Sequence, residues 1–407
     1  MGRVPRYREF CSVDLGIGGV VSLHVLLVGG SDAQYRHYLG LPFRFTILIR
    51  SDLAGSHVDA LGARVIAVAH LNEQTVTESM RNIHAIEALS FVFTLDDDLS
   101  LTIALIAEEL AIEGPSVRAT RICVDKSHMR RSLQGSRFDV GHVIEATYND
   151  TLALLQRHPT GIVLKPSTGS GSRNVFVIKT IGELDSYYDH ISSEASPPVA
   201  EAYLAGRQLS VETLTIRGAH EVVTVTAVGL HEGTVIPDHH IMPAPGLSQA
   251  QRRAIEEFCT ELLTFIGFRH GPCHIEIKLN GTEVNLIEIN NRIGGDYLGL
   301  LAELTTGINS YRESVQFLAE GTPHLDERNS LARYEFGSSR SFFGHVPIES
   351  MRAALVSVDA LRVWPAGEPG QVITVRSAAD RVGLVVFASN DKAAFLDALD
   401  RLAALSS

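Results

Sequence analysis

Two segments in the second half of the chain alternate polar and apolar residues with a period of two, which is the side-chain period of a β-strand. They cover residues 274–278 and 286–292. In strands, the apolar side chains can enter a core while the polar side chains of each segment share the opposite face. These polar residues are Glu276 and Lys278 in the first segment and Glu288, Asn290 and Arg292 in the second.

Two carboxylates on the face of one hairpin are uncommon as a purely structural feature, because like charges held close together repel unless a cation lies between them. Magnesium ions in proteins are commonly held by one or two carboxylates together with substrate phosphates. We therefore predict a site for magnesium and phosphate, with Glu276, Glu288 and Asn290 as metal ligands. For either segment alone, a solvated strand face is the alternative.

The turn between the two segments limits how their side chains can face each other. The strongest turn signal is the Asn-Gly pair at residues 280–281. A two-residue turn centred there would place Glu276 and Glu288 on opposite faces. We therefore predict a longer loop or a β-bulge between residues 279 and 284, which restores the shared face.

The composition is that of an ordinary globular protein, with 45% apolar and 20% charged residues. A chain of 407 residues exceeds the size of one hydrophobic core, so several domains, two to four, are expected. The formal net charge of −12 and the lack of a Lys/Arg run argue against a nucleic-acid partner. No apolar run reaches the roughly 18 residues of a membrane-spanning helix, so no span is expected.

Four cysteines are spread along the chain without a Cys-x-x-Cys pair: Cys11, Cys123, Cys259 and Cys273. This spacing indicates reduced thiols in the cytoplasm rather than disulfides or a zinc site. We expect residues 1 to about 20 to be an N-terminal extension and not a signal peptide, because glycines and an aspartate interrupt the apolar stretch and no small-residue cleavage site follows.

In the first quarter of the chain, short apolar or β-branched runs alternate with segments of helix length. The runs cover residues 21–28, 45–49, 64–69 and 90–94. This alternation predicts a parallel sheet with helices on both faces. A Gly-Gly pair follows the first run, but the G-x-G-x-x-G spacing of a dinucleotide-binding loop is absent, so a tight turn is the better interpretation.

Capping residues mark two helix starts. Three aspartates at residues 96–98 are expected to cap a helix over residues 99–112, because acidic groups favour a helix N-terminus. Ser248 and Gln251 form a capping-box pattern for a helix that continues to Ile266.

A glycine- and serine-rich loop, residues 167–174, lies between two predicted strands. Glycines let backbone N–H groups turn toward phosphate oxygens, and serine hydroxyls add further donors. Lys165, at the end of the preceding strand, would supply positive charge. The loop is not a Walker P-loop, because the lysine precedes the glycines and a strand follows. Taken alone, such a loop is more often a simple hairpin turn than a phosphate-binding loop.

The order of these segments resembles the ATP-grasp superfamily from about residue 20 to residue 400. The resemblance implies an α/β protein, α+β in its catalytic part, that has the ATP-grasp fold with an N-terminal Rossmann-like parallel-sheet domain. The expected divisions are 1–20 (extension), 21–115 (Rossmann-like domain), 116–200 (central subdomain with the phosphate-covering loop), 201–330 (hinge and magnesium site) and 331–407 (C-terminal part).

The resemblance also implies which residues bind ATP. Glu201 would contact the exocyclic amine of adenine, backbone groups at residues 202 and 204 would complete that edge, and the Glu212 carboxylate would face the nucleotide. Magnesium, with manganese as a substitute, would accompany ATP. The implied ATP-binding residues are Lys126, Lys165, Ser170, Gly171, Ser172, Glu201, Ala202, Tyr203, Leu204 and Glu212.

Three patterns resemble one branch of the superfamily, the L-amino-acid (dipeptide) ligases and related carboxylate–amine ligases. They are His274-x-Glu276-x-Lys278, Asn290-x-Arg292-x-Gly294-Gly295-Asp296 and His240-x-x-Pro243. Pro237 stands where such enzymes often carry a glutamate three residues before the histidine, and Asp238 follows it. The branch implies Arg292, His240 and Lys278 as catalytic residues, and His240, His274, Arg292, Gly294 and Gly295 as substrate-binding residues.

The implied function is an ATP-dependent carboxylate–amine ligase of the cytoplasm that acts on small molecules, with a homodimer as one expected assembly. A carboxylate would attack ATP to form an acyl phosphate, and an amine would then displace phosphate while loop 167–174 excludes water. Two alternatives remain. One is a biotin-carboxylase-like or purine-biosynthesis-like enzyme of the same fold, and the other is a catalytically inactive nucleotide-binding regulator.

Overall fold

The computed structural model describes residues 23–190, 197–320, 325, 329–364 and 375–405. The expected N-terminal extension lies outside the described residues. Within the described part the chain is a mixed α/β protein built on three sheets, in agreement with the fold class that the sequence predicts. The division into segments at residues 20, 115, 200 and 330 stays a prediction.

The first sheet is parallel and has four strands in the order β3-β2-β1-β4, which confirms the prediction from the alternating pattern. Its strands are β1 (His24–Val28), β2 (Arg44–Arg50), β3 (Arg64–Val68) and β4 (Phe91–Thr94). Its helices are Asp32–Tyr35, Ser56–Ala60, Glu73–Ile86 and Ser100–Glu109. Every residue of β1 is buried, because both faces of the sheet are covered.

Alternate residues of β1 belong to different cores. Leu26 and Val28 pack with the two long helices, whereas Val25 and Leu27 pack in a cluster that includes Leu214 of the largest sheet. The first sheet is therefore fixed against the rest of the molecule through one face. Its C-terminal edge, where ligands of open parallel sheets usually bind, lies beside the predicted site.

The expected aspartate cap of the fourth helix is wrong. The helix Ser100–Glu109 begins after Leu99, and no side chain caps it. Asp96 Oδ1 instead accepts a hydrogen bond from the backbone N–H of Asp98, because short acidic side chains compete for nearby backbone donors in turns. The Asp97 carboxylate points away from the helix to Arg292.

The second sheet is antiparallel and small, with the strand order β5-β8-β6-β7. Its strands are β5 (His142–Val143), β6 (Ile162–Lys165), β7 (Phe176–Ile178) and β8 (Val199–Ala202). The surrounding helices are Val117–Val124, Lys126–Leu133, Tyr148–Arg157 and Ile181–His190. Because β6 and β7 pair antiparallel, the glycine- and serine-rich loop is the connection of a hairpin, as predicted.

The third sheet is antiparallel and has eight strands in the order β13-β12-β9-β10-β11-β14-β16-β15. The strands are β9 (Arg207–Ile216), β10 (Ala219–Leu230), β11 (Pro237–Met242), β12 (His270–Asn280), β13 (Glu283–Asn290), β14 (Phe336–Phe342), β15 (Asp359–Trp364) and β16 (Gly383–Ser389). The helices are Gln249–Ile266, Leu298–Thr306, Ser310–Glu320, Ile348–Ala354 and Lys392–Ala404. The predicted capping box at Ser248 is present, with Gln251 as its partner.

The hairpin β12–β13 has the shared carboxylate face that the sequence predicts, but not by the predicted route. Residues 281–282 form a two-residue turn, and no bulge lies between residues 279 and 284, so that prediction is wrong. The bulge lies nearer the site, where Ile287 is inserted between two levels of the ladder. Glu276 and Glu288 consequently lie directly opposite each other.

Candidate active site

Most of the predicted site residues converge on a cavity of about 230 Å³ between the small sheet and the face of the β12–β13 hairpin. Among the predicted residues, Glu212 and Gly294 lie outside its lining. The predicted residues that line it are Lys126, Lys165, Ser170, Gly171, Ser172, Glu201, Ala202, Tyr203, Leu204, His240, His274, Glu276, Lys278, Glu288, Asn290, Arg292 and Gly295.

Each of the two facing carboxylates has a cationic neighbour. The Nζ atom of Lys126 lies 3.1 Å from Oε1 of Glu288, and Nε2 of His274 lies 3.6 Å from Oε1 of Glu276. The side-chain amide of Gln208 donates a hydrogen bond to Glu276 Oε2 at 3.5 Å. These neighbours reduce the repulsion that two carboxylates on one face would otherwise have.

The pairing of His274 with two glutamates sets the charge of this wall. Burial alone would lower the pKa of His274, but Glu212 and Glu276 raise it to about 10, so the ring is an imidazolium at neutral pH. Burial would raise the pKa of Glu276, but the hydrogen bond and the charge of His274 lower it. Glu276 is therefore ionised at neutral pH, as a metal ligand must be.

The donor set fits a magnesium ion that also takes phosphate oxygens. The described residues contain no cluster of three or more His, Cys, Asp or Glu side chains that could enclose a metal by themselves. Two carboxylates and the Asn290 amide lie on one face of the β12–β13 hairpin and supply part of an oxygen shell. This partial set suits magnesium, because magnesium usually takes its remaining ligands from water and phosphates.

Lys126 connects the glycine- and serine-rich loop to the carboxylates. It is the first residue of the helix Lys126–Leu133, which Asp125 caps. Its backbone N–H donates to the carbonyl of Ser167 at 2.7 Å, and its Nζ donates to the carbonyl of Gly169 at 2.9 Å. The backbone of Gly171 lies at a φ of 67°, in the left-handed region that glycine adopts without strain.

The opposite side of the loop contacts the large sheet and the C-terminal part of the chain. Ser172 Oγ donates to the carbonyl of Val235 at 3.3 Å. The carbonyl of Gly171 accepts a hydrogen bond from the backbone N–H of Ala378 at 2.9 Å. The loop is thus held over the cavity from both sides.

Glu201 lines the cavity and its carboxylate is paired with two cations, while its contact with adenine stays a prediction. Both of its oxygens accept hydrogen bonds from Arg130, at 2.6 and 3.0 Å, and Oε2 also lies 2.9 Å from Nζ of Lys165. Burial would raise the pKa of Glu201, but these two cations lower it to about 2. Burial also lowers the pKa of Lys165, and Glu201 counteracts this effect.

Arg130 is a site residue whose role the sequence does not reveal. Its guanidinium is fully buried, and its Nη2 donates to the carbonyls of Leu286 and Ile287, each at 3.0 Å. The available signal is its position four residues after Lys126, which places both side chains on one face of the helix. Gln208, which lines the cavity, is missed as well.

The segment after Glu201, predicted to be a hinge, is held by backbone hydrogen bonds. Ala202 ends β8, and its N–H donates to the carbonyl of Gly141 at 2.7 Å. The N–H of Tyr203 donates to the carbonyl of Gly161 at 3.0 Å. These bonds fix the segment where Tyr203 and Leu204 line the cavity.

Glu212 does not line the nucleotide cavity, contrary to the prediction, although it lies on the same face of the sheet as His274. It lies opposite His274 in the β9–β12 ladder, and its Oε1 is 2.6 Å from Nδ1 of that ring. Its Oε2 accepts a hydrogen bond from the N–H of Gly294 at 3.2 Å. Glu212 is buried, and both of its carboxylate oxygens have partners. It therefore orients the His274 ring and the backbone at Gly294.

The two glycines after Arg292 have different surroundings. A Cβ atom at Gly294 would lie 2.6 Å from Nδ1 of His274 and 2.9 Å from Oε1 of Glu212, so only glycine fits there. A Cβ atom at Gly295 would meet no atom within 4 Å.

Arg292 lies at the border between the nucleotide cavity and a second cavity. Its Nε is 2.7 Å from Oδ2 of Asp97, which follows the last strand of the parallel sheet. Its Nη1 donates to the carbonyl of Ile293 at 3.0 Å. The second cavity, about 880 Å³ in volume, lies at the C-terminal edge of the parallel sheet.

His240 is buried beside the nucleotide cavity. Its Nδ1 lies 3.9 Å from Oδ2 of Asp296 and 3.4 Å from Oγ of Ser339. Burial lowers the pKa of His240, so the ring is neutral at neutral pH. Asp296 Oδ1 also contacts Arg381 at 2.5 Å. These contacts place several polar groups beside His240.

Two further predicted positions lie along the same cavity. Lys278 lines it, and burial lowers the pKa of its ammonium group. Pro237 also lines the cavity, whereas Oδ1 of Asp238 lies 2.6 Å from Nδ1 of His239. Asp238 is therefore paired with His239 and does not line the cavity.

The sequence around this site matches the model of a known protein family. Residues 158–299, which include all strands from β6 to β13 and the two glycines after Arg292, match the model of the ATP-grasp domain. The chain therefore contains an ATP-grasp domain.

Two curated proteins are similar to this chain at sequence identities of 24% and 23%. An uncharacterized protein of Sinorhizobium fredii is 24% identical over 302 residues, which cover 70% of this chain and 61% of that protein. Alanine–anticapsin ligase of Bacillus subtilis is 23% identical over 253 residues, which cover 55% of this chain and 52% of that enzyme. The chain thus spans between about half and three fifths of the length of these relatives.

Solved structures match nearly the whole chain. The L-amino acid ligase from Bacillus licheniformis superposes with a TM-score of 0.73 at 19% identity, covering 94% of this chain and 98% of that one. N5-carboxyaminoimidazole ribonucleotide synthetase from Thermus thermophilus gives a TM-score of 0.66 at 17% identity, with coverages of 94% and 98%. At these identities the likeness establishes the ATP-grasp fold. In the described ranges, no helix is both long and apolar enough to cross a membrane.

Proposed function

We propose that the protein is an ATP-dependent carboxylate–amine ligase that forms an amide or peptide bond through an acyl phosphate. The observation that carries this proposal is the position of Arg292. It lines the nucleotide cavity together with Glu276 and Glu288, and it also lines a second cavity large enough for another small molecule. A ligase needs this arrangement, because its activated carboxylate must form beside ATP and remain reachable by a second substrate.

The nucleotide-binding parts follow from the cavity lining. Residues 202–204 would contact adenine, and loop 167–174 would cover the phosphates with backbone and hydroxyl donors. Lys126 and Lys165 would neutralise phosphate charge. Glu276, Glu288 and Asn290 would hold magnesium, or manganese in its place, and the metal would supply further charge neutralisation when bound.

The chemistry uses positioning and charge more than proton transfer. An oxygen of the substrate carboxylate attacks the γ-phosphorus of ATP, ADP departs, and an acyl phosphate results. The amine nitrogen then attacks the acyl carbon, the bond from that carbon to the phosphate oxygen breaks, and phosphate leaves with the electron pair. Arg292 would hold the acyl phosphate through the paired N–H donors of its guanidinium.

Loop 167–174 would protect the intermediate from hydrolysis. An acyl phosphate reacts readily with water, so the reaction requires a closed site. The contacts of Gly169 with Lys126 and of Gly171 with Ala378 hold the loop over the cavity. We infer that these contacts form the closed position of a lid.

An amino acid is the proposed substrate class, joined to another amino acid or to a small carboxylic acid. Support comes from the names of two similar proteins, the L-amino acid ligase of Bacillus licheniformis and alanine–anticapsin ligase. The neutral His240 beside Asp296 provides polar groups for such a substrate. Three buried free cysteines, Cys123, Cys259 and Cys273, support an expected site of action in the cytoplasm.

Phosphate release from ATP in the presence of paired amino acids tests the proposal. We expect release that requires both magnesium and amino acids, together with a product that contains a new amide bond. Release that depends on bicarbonate instead would identify a carboxylase-type enzyme of this fold. ATP binding without phosphate release under all conditions would indicate a nucleotide-binding regulator.

A further inference from the structure

The second cavity is built mainly by the N-terminal parallel sheet. It lies beyond the C-terminal ends of β1 and β4, and the loop of residues 291–295 closes it on the side of the nucleotide cavity. Its volume of about 880 Å³ falls within the range of small-molecule sites. None of the predicted substrate contacts comes from the parallel sheet, so the sheet side of this cavity has no assigned role.

Arg292 is the charged residue shared by the two cavities. Only Arg292 and Gly295 appear in the linings of both, within the part of the chain that the structure describes. The guanidinium is bound on the second-cavity side through Nε to the Asp97 carboxylate at 2.7 Å. Asp97 is therefore in direct contact with the side chain that would hold the acyl phosphate.

The partner of Asp97 must change during the proposed reaction. An acyl phosphate at Arg292 carries more negative charge than a single carboxylate and can accept two parallel hydrogen bonds from the guanidinium. When Arg292 turns to it, Asp97 loses its cation while it remains within the cavity wall. Although the Asp97 side chain is 60% exposed, desolvation raises the pKa of its carboxyl group, and the charge of Arg292 opposes this effect. A new cation at Asp97 is then favoured.

We propose that the second cavity binds the amine acceptor, and that the acceptor's ammonium group replaces Arg292 as the partner of Asp97. This inference rests on the proposed ligase function. Asp96, the adjacent residue in the same wall, adds a second carboxylate and favours a cationic group over an anionic one. Arg50, a basic residue of the wall, is paired with Asp52 at 2.5 Å, which reduces its attraction for an anion.

The exchange of partners gives the reaction an order. Before acyl phosphate formation Asp97 is occupied by Arg292, so the ammonium site is incomplete. After it forms, Asp97 is free to hold the acceptor close to the acyl carbon. The acceptor class is an amino acid or another small primary amine, which arrives as an ammonium ion and gives one proton to solvent water. Its neutral nitrogen then attacks the acyl carbon, and the nitrogen loses a second proton to the departing phosphate.

Two acceptors that differ in charge separate this role from a general effect on Arg292. Amino acids carry an ammonium group at neutral pH, whereas hydroxylamine is largely uncharged and traps acyl phosphates as hydroxamates. The variant is Asp97→Asn, and the matched control is Asp98→Asn, whose exposed side chain lies outside both cavity linings. Full-length protein is assayed with saturating ATP and the donor found in the phosphate-release screen.

We expect Asp97→Asn to raise KM for the acceptor amino acid by about 10- to 100-fold, the usual effect of removing a hydrogen bond to a charged group. Hydroxamate formation and KM for ATP should stay within about twofold of the wild type, and Asp98→Asn should behave like the wild type. Equal losses with both acceptors would overturn the proposal, since Asp97 would then only position Arg292. Unchanged acceptor KM would also overturn it. A wild type that forms neither amide nor hydroxamate would instead refute the ligase function, and this inference with it.

Discussion

The backbone carbonyl oxygen of Ile287, the inserted residue of the bulge in β13, accepts a hydrogen bond from Nζ of Lys165 at 3.3 Å. The same oxygen accepts one from Nη2 of Arg130 at 3.0 Å. A bulge frees carbonyl groups from the ladder, and here those groups bind two buried cations. The insertion that aligns Glu288 with Glu276 therefore also fixes the basic wall of the nucleotide cavity.

Glu288→Gln tests the metal-site prediction. The change keeps the shape of the side chain but removes a charge that compensates both Lys126 and a divalent ion. We expect turnover to fall by roughly 100-fold or more while the melting temperature stays close to that of the wild type. Glu283→Gln, at an exposed position of the same strand, is the control. Near-normal turnover with an unchanged magnesium requirement would show that the ligand is misassigned.

Arg292→Lys tests the assignment of the acyl phosphate contact. Lysine keeps the charge but cannot form paired hydrogen bonds with a phosphate or carboxylate. We expect ligation to fall by about 10- to 100-fold, as for the loss of a charged hydrogen bond. The dissociation constant for ATP should change little, because Lys126, Lys165 and residues 202–204 provide most nucleotide contacts. A comparable loss of ATP binding would place Arg292 in the nucleotide site.

His240→Ala tests the amino-acid pocket. The neutral ring lies beside Asp296 and away from the residues that would contact adenine. We therefore expect a change in amino-acid preference or an increase in KM for amino acids that exceeds any change in KM for ATP. Steady-state kinetics with each substrate varied in turn measures both. If ATP use is weakened as much as amino-acid use, the assignment of this pocket to amino acids fails.

Arg130→Met tests whether the buried ion cluster stabilises the fold. Removing the guanidinium leaves Glu201 with only Lys165 as a partner, and breaking a buried pair typically costs about 3–5 kcal/mol of unfolding free energy. Denaturant unfolding measures the difference. Arg131→Met is the control, because Arg131 and Glu145 form a mostly exposed pair expected to contribute about 0–1 kcal/mol. Equal effects of the two changes would rule out a special role for the buried cluster.

The sequence predicts those features that follow from local periodicity. The parallel sheet, the loop between β6 and β7, and the carboxylate face of the β12–β13 hairpin all arise from patterns within short segments. Their recognition requires no knowledge of which other segments pack nearby.

Features that depend on distant partners could not be predicted in this way. The Glu201 carboxylate is taken up by Arg130 and Lys165, which are remote from it in sequence. Asp97 is a residue type that often caps helices, yet its carboxylate pairs with Arg292, which is remote from it in sequence. The bulge lies at Ile287, whose carbonyl accepts hydrogen bonds from two buried cations, and no turn signal in the sequence reports these distant partners.

The different surroundings of Gly294 and Gly295 separate what this site must keep from what it can change. A side chain at position 294 would displace the pair formed by Glu212 and His274, whereas position 295 has free space and borders both cavities. Substitution at position 295 would thus alter the room available to the two substrates at their meeting point without disturbing the backbone. This position is a natural starting point for redesigning substrate range in this chain.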